Sequence, residues 1–549
     1  MNFLDSIFEN LQRRGDSIVL REIRDGQFLD VSGRDFLKLV SQARKFLGGL
    51  NLNKSDRCGL LAPNSIRWMA LDLALISEGL IVVPLYTRQA PRELSSMIQD
   101  SSPTAIFASD ESLFAEIRRV SDTCPAFTPL GKMFGSEENL PLEKTACEES
   151  DPVSIIYTSG TSGEPKGVVL REGNIRHMLQ CTNARLDVLM AGSREPERIF
   201  HYTPFCFAAS WIAMLTFLSR NSVVTLSTDL SKLSEELKLA SPDYFLNVPT
   251  LLERVRAKIT ETIHKRRGVL PAIFKRAQNC FFNSGRGSWL EKMCLSSARR
   301  VMFPEIHKAI GPNLKALICG SAPLAEETQR FFMMLGIPVL RVYGLTETTA
   351  ICTMDDPRDF EPGKVGAAIP GVEMKAGENG EILVRGPNIF AGYWRRPEET
   401  AKALEGGWFH TGDQGEVDDK GKWRITGRLK NLLVLNSGHK FAPEPLELAL
   451  ANKLPAAQQV VVIGNQRSYP AALITTSSAN GIASDRVQAI VEQMNMSLPH
   501  YQQIRAFHII HEPFSIENGL LTANGKIKRD EVAARYSAEI DRLYQRPPA

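Results

Sequence analysis

The chain lacks most of what would mark a secreted, membrane-spanning or covalently catalysing protein. Its nine cysteines are odd in number and scattered, with no C-x-x-C pair. That is the pattern of reduced cytosolic thiols; it offers neither a disulfide framework nor a zinc site. No run of about 18 apolar residues occurs, so no transmembrane helix is expected. Met1 to Arg14 carries acids and has neither the basic start nor the apolar core of a secretory signal. A net charge of +3 is too small for a duplex-binding protein, and no nucleic-acid partner is expected. No Ser-His-Asp or Cys-His constellation stands out as a nucleophile. His508 and His511, three apart on an expected strand, point to opposite faces and do not form a shared metal site. What the chain does have is length: 549 residues with 43% hydrophobic content imply two or more well-filled domains.

The densest local signal is Ile155-Ile156-Tyr157-Thr158-Ser159-Gly160-Thr161-Ser162-Gly163-Glu164-Pro165-Lys166-Gly167. Glycines let backbone N–H groups turn toward an anion, the hydroxyls add donors, and Lys166 adds charge, so the run reads as a phosphate cradle. It is not a Walker A loop. Pro165 precedes the lysine, Gly167 follows it, and Val168-Val169-Leu170 favours a strand where that motif needs a helix. The expected setting is therefore a loop between two strands. A flexible Gly/Ser linker is the bland alternative, and the β-branched flanks on both sides oppose it.

Thr158-Ser159-Gly160-Thr161-Ser162-Gly163-x-Pro165-Lys166-Gly167 resembles the signature loop of the adenylate-forming superfamily (acyl-CoA synthetases, luciferases, peptide-synthetase adenylation domains) at every fixed position. Further stretches follow in the family's order. Gly320-Ser321-Ala322, where a buried strand breaks before a helix begun by Pro323, resembles the adenine-side loop. At the next strand end Tyr343-Gly344-Leu345-Thr346-Glu347 places an aromatic ring, a hydroxyl and a carboxylate together. Tyr343 is suited to stacking on a base, and Thr346 and Glu347 to reaching a phosphate and its Mg²⁺. Alone, Thr-Glu near a helix start is commonly a cap; the family assigns it the catalytic role. Asp413 and Arg428 match two more motifs, and a carboxylate and a guanidinium suit the hydroxyls of a ribose. The resemblance makes Lys430 a hinge, Gly438 part of a pantetheine channel and Lys526 the catalytic lysine that reaches the α-phosphate. Two positions depart from the pattern. Phe207 stands where a histidine often lies, which favours an apolar wall of aromatics from Phe205 to Trp211, and Pro445 replaces an acid.

The organisation follows. From Asp16 to Phe107, strands alternate with helical periodicity: Ile18-Val19-Leu20, a turn at Asp25-Gly26, a helix capped by Ser32, Cys58 to Leu61, a helix through Trp68 to Ile76, and Ile81 to Leu85. That alternation predicts α/β architecture with mostly parallel, doubly wound sheets and ligands beyond the strands' carboxyl ends. From Gly363, short strands and Gly-rich turns predict a small antiparallel β-barrel. The resemblance implies two domains, 1–429, binding AMP, and 430–549, a mobile unit whose pattern of strands and helices reads as α+β. Residues 254–300 form a basic insertion with twelve Lys or Arg against two acids, Glu261 and Glu291, interleaved with Leu270, Ile273, Phe274, Phe281, Phe282 and Trp289. The mixture suits peripheral contact with an anionic membrane face, or a pair of solvated amphipathic helices.

The resemblance implies ATP, Mg²⁺ and coenzyme A as cofactors and co-substrates of a cytoplasmic ligase. Its expected action is to convert a long-chain fatty acid to acyl-AMP and then acyl-CoA. The alternatives are a fatty acyl-AMP ligase loading a carrier protein, a medium-chain or aryl-acid CoA ligase, and a non-enzymatic sensor.

Overall fold

A computed structural model describes residues 2–109, 111–120, 127–135, 145–159, 164–193, 195–283, 288–476, 482–522 and 525–545. The chain divides into two compact units, residues 1–374 with 384–409, and residues 375–383 with 410–549.

The first unit is built on two large sheets covered by helices. In one, the strands run in the order Gly392–Tyr393, Pro165–Arg171, Pro152–Ser159, Ile81–Leu85, Arg57–Leu61, Ala105–Ala108, Phe127–Pro129. From Pro152–Ser159 across to Phe127–Pro129 the pairing is parallel. The other sheet has nine strands, with Glu197–His201, Tyr244–Asn247, Ala316–Cys319 and Val339–Tyr343 parallel at its centre. Near-continuous apolar runs such as Ile81-Val82-Val83-Pro84-Leu85, all buried, are what a strand covered on both faces requires. The sequence order of strand and helix up to Phe107 is therefore borne out.

Local signals act where they stand. Ser32 caps helix Gly33–Gly48 by accepting from the Asp35 N–H at 3.1 Å. Asp25 and Gly26 both take positive φ, 50° and 75°, as a two-residue hairpin between Ile18–Arg24 and Gln27–Ser32 demands. The first helix, Phe3–Arg14, is core structure. The Phe3 N–H donates to Glu172, and the Asn10 amide donates to the carbonyls of Leu218 and Arg220 at 2.8 Å. One boundary moves: the helix after Gly320 begins at Glu326, not Pro323. Ser321 turns the chain at φ 72°, and Leu324 and Ala325 are spent in the core before the helix starts.

The second unit contains a three-stranded sheet in which Ala471–Thr476 pairs antiparallel with Ala457–Ile463 and parallel with Ala506–Ile510. Helices Glu444–Lys453 and Ser484–Asn495 pack on one core. Four of the strands after Gly363 form a sheet in the order Glu373–Ala376, Glu381–Arg385, Phe409–Val417, Trp423–Arg428, while Ala367–Ala368 joins the nine-stranded sheet and Gly392–Tyr393 the seven-stranded one. Among the described residues this four-stranded order is open, with Glu373–Ala376 and Trp423–Arg428 at its ends, and is not the expected barrel. No described helix is long and apolar enough to cross a membrane.

One buried charge in the first unit gives a pH test. Asp72, on helix Ile66–Ser77, is fully buried and accepts from the Trp211 indole N–H at 3.0 Å, while its Oδ1 has no partner. Burial pushes its carboxyl up to about 7, against the indole bond that favours the ionised form. The folded state then holds this proton more tightly than the unfolded chain, so stability falls as pH rises from the ordinary carboxylate range toward 7. Asp72→Asn is expected to stabilise the protein at pH 8 by on the order of 1–3 kcal/mol and by much less at pH 5. Urea denaturation at the two pH values reads the difference, and an equal effect at both refutes it.

Candidate active site

The parallel strands of the nine-stranded sheet end at His201, Asn247, Cys319 and Tyr343, and the candidate residues follow directly: Gly320-Ser321-Ala322 after one strand, Gly344 to Glu347 after the next. A ligand of an open parallel sheet is held at these carboxyl ends. Glycine is required at two of them. A Cβ on Gly320 would lie 2.7 Å from Val342 Cγ2, and one on Gly344 would lie 2.3 Å from the Ala350 carbonyl oxygen. Beside Gly320, the buried Asn247 turns its amide N–H to the Phe245 carbonyl at 3.0 Å and leaves Oδ1 without a partner. That is an acceptor desolvated at the strand ends with nothing yet to accept.

The lysine loop lies on the other sheet. Strands Pro152–Ser159 and Pro165–Arg171 are an antiparallel pair with Thr158 opposite Lys166, so the loop does join two strands, and the next helix begins only at Glu172. Gly160, Thr161, Ser162 and Gly163 lie outside the described residues, as does the Ser159 side chain. At the foot of the loop the Tyr157 hydroxyl donates to Asp100 at 2.6 Å, and Arg396 stands 3.7 Å from Asp100 and 3.6 Å from Glu164.

Two motifs far apart in sequence meet through a residue that the sequence analysis passed over. Lys166 Nζ lies 5.2 Å above the ring of Tyr393, whose hydroxyl donates to Glu347 Oε1 at 2.9 Å. Tyr393 arrives there because its short strand pairs with Pro165–Arg171, with Tyr393 opposite Val168. Burial first, and then the Glu347 charge, push its phenol well above the ordinary tyrosine range, so it stays a donor. Glu347 is only 9% exposed. The only sequence signal for Tyr393 is the aromatic pair Tyr393-Trp394 behind Gly392.

Two asparagines brace this arrangement, and both were also missed. The fully buried Asn388 side-chain amide donates to the carbonyls of Ile351 at 3.0 Å and Thr348 at 3.3 Å, and the Asn388 backbone carbonyl accepts from the Thr349 hydroxyl at 2.7 Å. Asn174 donates to the carbonyls of Pro387 and Ile389 at 2.8 and 2.9 Å.

The aromatic wall is smaller than expected. Phe205 and Trp211 are core residues, 1% and 0% exposed; Phe205 stacks on His201 at 4.8 Å. Only Phe207 is half-buried, against Tyr86 at 5.4 Å. His201 is no base. Burial holds its imidazole down to about 4, with Nε2 near the Thr203 carbonyl and Ser210 hydroxyl.

In the second unit Asp413 and Arg428 face each other across the hairpin, Nε to Oδ1 2.7 Å, with Asp413 4% exposed. Lys430 follows in an exposed turn; partial desolvation and then Arg428 hold its ammonium below the usual range. Gly438 is exposed at φ 82°. Lys526 is exposed on a turn closed by the Thr522 N–H to the Lys526 carbonyl at 2.8 Å, with Gly525 at φ 76°. Among the described residues, no group of three His, Cys, Asp or Glu could hold a metal unaided. A metal at Glu347 would depend on oxygen ligands from a bound phosphate, as Mg²⁺ sites commonly do.

Comparison with known proteins shows the family. A family model described as AMP-binding enzyme matches residues 7–394, and one for the AMP-binding enzyme C-terminal domain matches 430–547. The chain is 28% identical to the long-chain-fatty-acid–CoA ligase FadD15 of Mycobacterium tuberculosis, over 99% of this chain and 97% of that protein. It is 26% identical to long chain acyl-CoA synthetase 2 of Arabidopsis thaliana, over 89% and 83%. In fold it is similar to the anthranilate CoA ligase AuaEII, solved with anthranoyl-AMP, with a TM-score of 0.77 at 20% identity and 97% of each chain covered.

Asn388→Ala would leave two buried carbonyls without donors, and it is expected to cost about 1–3 kcal/mol in denaturant unfolding. An unchanged midpoint would remove Asn388 from its bracing role.

Proposed function

Because the chain belongs to the AMP-binding enzyme family, we propose that it joins a carboxylic acid to coenzyme A at the expense of ATP, by way of an acyl-adenylate. A carboxylate oxygen attacks the α-phosphorus, and the bond to pyrophosphate breaks. The thiol sulfur of coenzyme A then attacks the acyl carbon, the bond to AMP breaks, and the thiol proton passes to solvent. Carboxylate and triphosphate repel each other, so the rate must come from positioning and from cations.

The observation that carries this reading is the contact chain Lys166–Tyr393–Glu347, which brings the loop cation and a desolvated carboxylate to one aromatic ring. In the proposed division of labour, the Thr158 to Lys166 loop holds the leaving phosphates. Gly320, Ser321, Ala322, Tyr343 and Gly344 take the adenine, Asp413 and Arg428 take the ribose, and Thr346 orients the α-phosphate. Lys526 supplies charge as that phosphorus is attacked. Mg²⁺ would offset triphosphate charge, with Glu347 as its protein ligand. Residues 430–549 pivot at Lys430 relative to 1–429 between the two half-reactions, bringing Gly438 to the pantetheine arm.

We further assign the acid as a long aliphatic chain, on the names of the relatives and on the apolar Phe207 and Tyr86 pair. The protein would meet such acids at an anionic membrane face through 254–300. Most of that stretch's apolar residues pack inward, with Phe274 fully buried and Leu270, Ile273 and Phe281 against the same core. The exposed set is Val269, Trp289, Leu290 and Met293.

Pyrophosphate release from acetate through stearate, with coenzyme A added and withheld, tests the activity. Release is expected to rise with chain length, with acyl-CoA as product. Acyl-AMP persisting beside coenzyme A would favour a carrier protein as acceptor, and a preference for aryl acids would overturn the chain assignment. Lys526→Ala is expected to lower pyrophosphate exchange about a hundredfold or more; exchange left intact would sink the mechanism.

Sedimentation with phosphatidylglycerol vesicles tests the surface. Binding should weaken with salt and fall severalfold in Trp289→Ala/Met293→Ala. Equal binding to neutral vesicles would refute it.

A further inference from the structure

The basic insertion does more than expose an apolar edge. Helices Leu270–Phe282, Trp289–Val301 and Glu326–Met334 enclose, with Pro362, a groove of about 550 Å³, within the range of ligand sites. Helix Trp289–Val301 supplies one wall from Lys292, Leu295, Ser296 and Arg299, spaced as one helical face. Phe281 and Met333 add apolar lining, and Arg330, tied to Glu326 at 2.8 Å, lines the groove from helix Glu326–Met334. Lys292 and Arg299 have no ion pair among the described residues, whereas Arg256, Lys258, Lys265 and Arg266 on the preceding segment do. No carboxylate is among the described residues that line the groove. Cations along an apolar trough complement one kind of guest, an anionic head on a hydrocarbon chain. The exposed Trp289 and Met293 lie on the adjoining face of the same helix, so a guest leaving a lipid surface there meets the groove next.

We propose that this groove binds the carboxylate head and first methylenes of a long-chain acid before activation, with Lys292 and Arg299 as its anion contacts. The choice of a carboxylate rests on the acid-activating function proposed above; the groove itself does not.

The test uses the full chain without ATP and a diazirine-bearing analogue of dodecanoic acid, with crosslinked peptides mapped by mass spectrometry. Labelling is expected around Phe281, Leu295 and Met333, displaced by dodecanoate and not by dodecanol. Lys292→Gln/Arg299→Gln should reduce it about tenfold or more, while Lys292→Arg/Arg299→Lys keeps it. Unchanged unfolding temperatures and unchanged labelling elsewhere guard against a folding defect. Undiminished labelling in the Gln variant, equal displacement by dodecanol, or displacement by phosphatidylglycerol alone would overturn the proposal. No pyrophosphate need be released, so a protein that labels here and activates no acid would lose the proposed function and keep the groove.

Discussion

The site in the first unit depends on how the chain leaves strand Val339–Tyr343. Gly344 brings its backbone against Ala350 and Ile351 at distances that exclude any side chain, and the turn closes with Thr349 and Ala350 at φ 50° and 82°. Two successive non-glycine residues in the left-handed region cost about 1–3 kcal/mol each, so the surroundings must impose the turn. They do so with the Asn388 amide and with the Phe390 N–H, which donates to the Glu347 carbonyl at 2.9 Å. The result is a carboxylate that is nearly buried and accepts from the Tyr393 hydroxyl at 2.9 Å.

How much of this was legible in the sequence follows from the range of the forces involved. The Ser32 cap, the Asp25-Gly26 turn and the apolar strands are local, and periodicity and turn chemistry reveal them. The loop at Lys166 announces itself by composition. Tyr393, Asn174 and Asn388 do not, because their roles come from pairings more than 35 residues away in sequence. A buried amide satisfying backbone carbonyls has the same local sequence as a surface one. The expected barrel failed for a related reason: alternating short strands specify hairpins, and closure is decided by edge pairing that no local pattern encodes.

The insertion shows the same limit from the side of charge. Its composition gave an excess of cations mixed with aromatics, and both readings of it, solvated helices and lipid-facing surface, drew on the same residues. The fold separates them by helical face. Phe274, Ala277 and Cys280 enter the core, Lys292, Leu295 and Arg299 line a groove, and Trp289, Leu290 and Met293 remain outside. Helix Trp289–Val301 alone, with Ala298 also in the core, serves all three environments, which a count of charges along the chain cannot resolve.

The second unit bears on what a pivot at Lys430 has to accomplish. The family's C-terminal model begins at residue 430, yet the compact unit also takes in the hairpin that carries Asp413 and Arg428. The reason is packing. A Cβ on Gly427 would lie 2.3 Å from the Ala442 Cβ, and the Asn431 amide donates to Glu444 at 2.6 Å. A rotation confined to 430–549 must therefore release the Gly427–Ala442 approach and re-pair Glu444, whose Oε2 is already buried without a partner. Asp413 and Arg428 meanwhile stay paired across their own hairpin, so under the proposed pivot the part of the second unit that turns need not carry them with it.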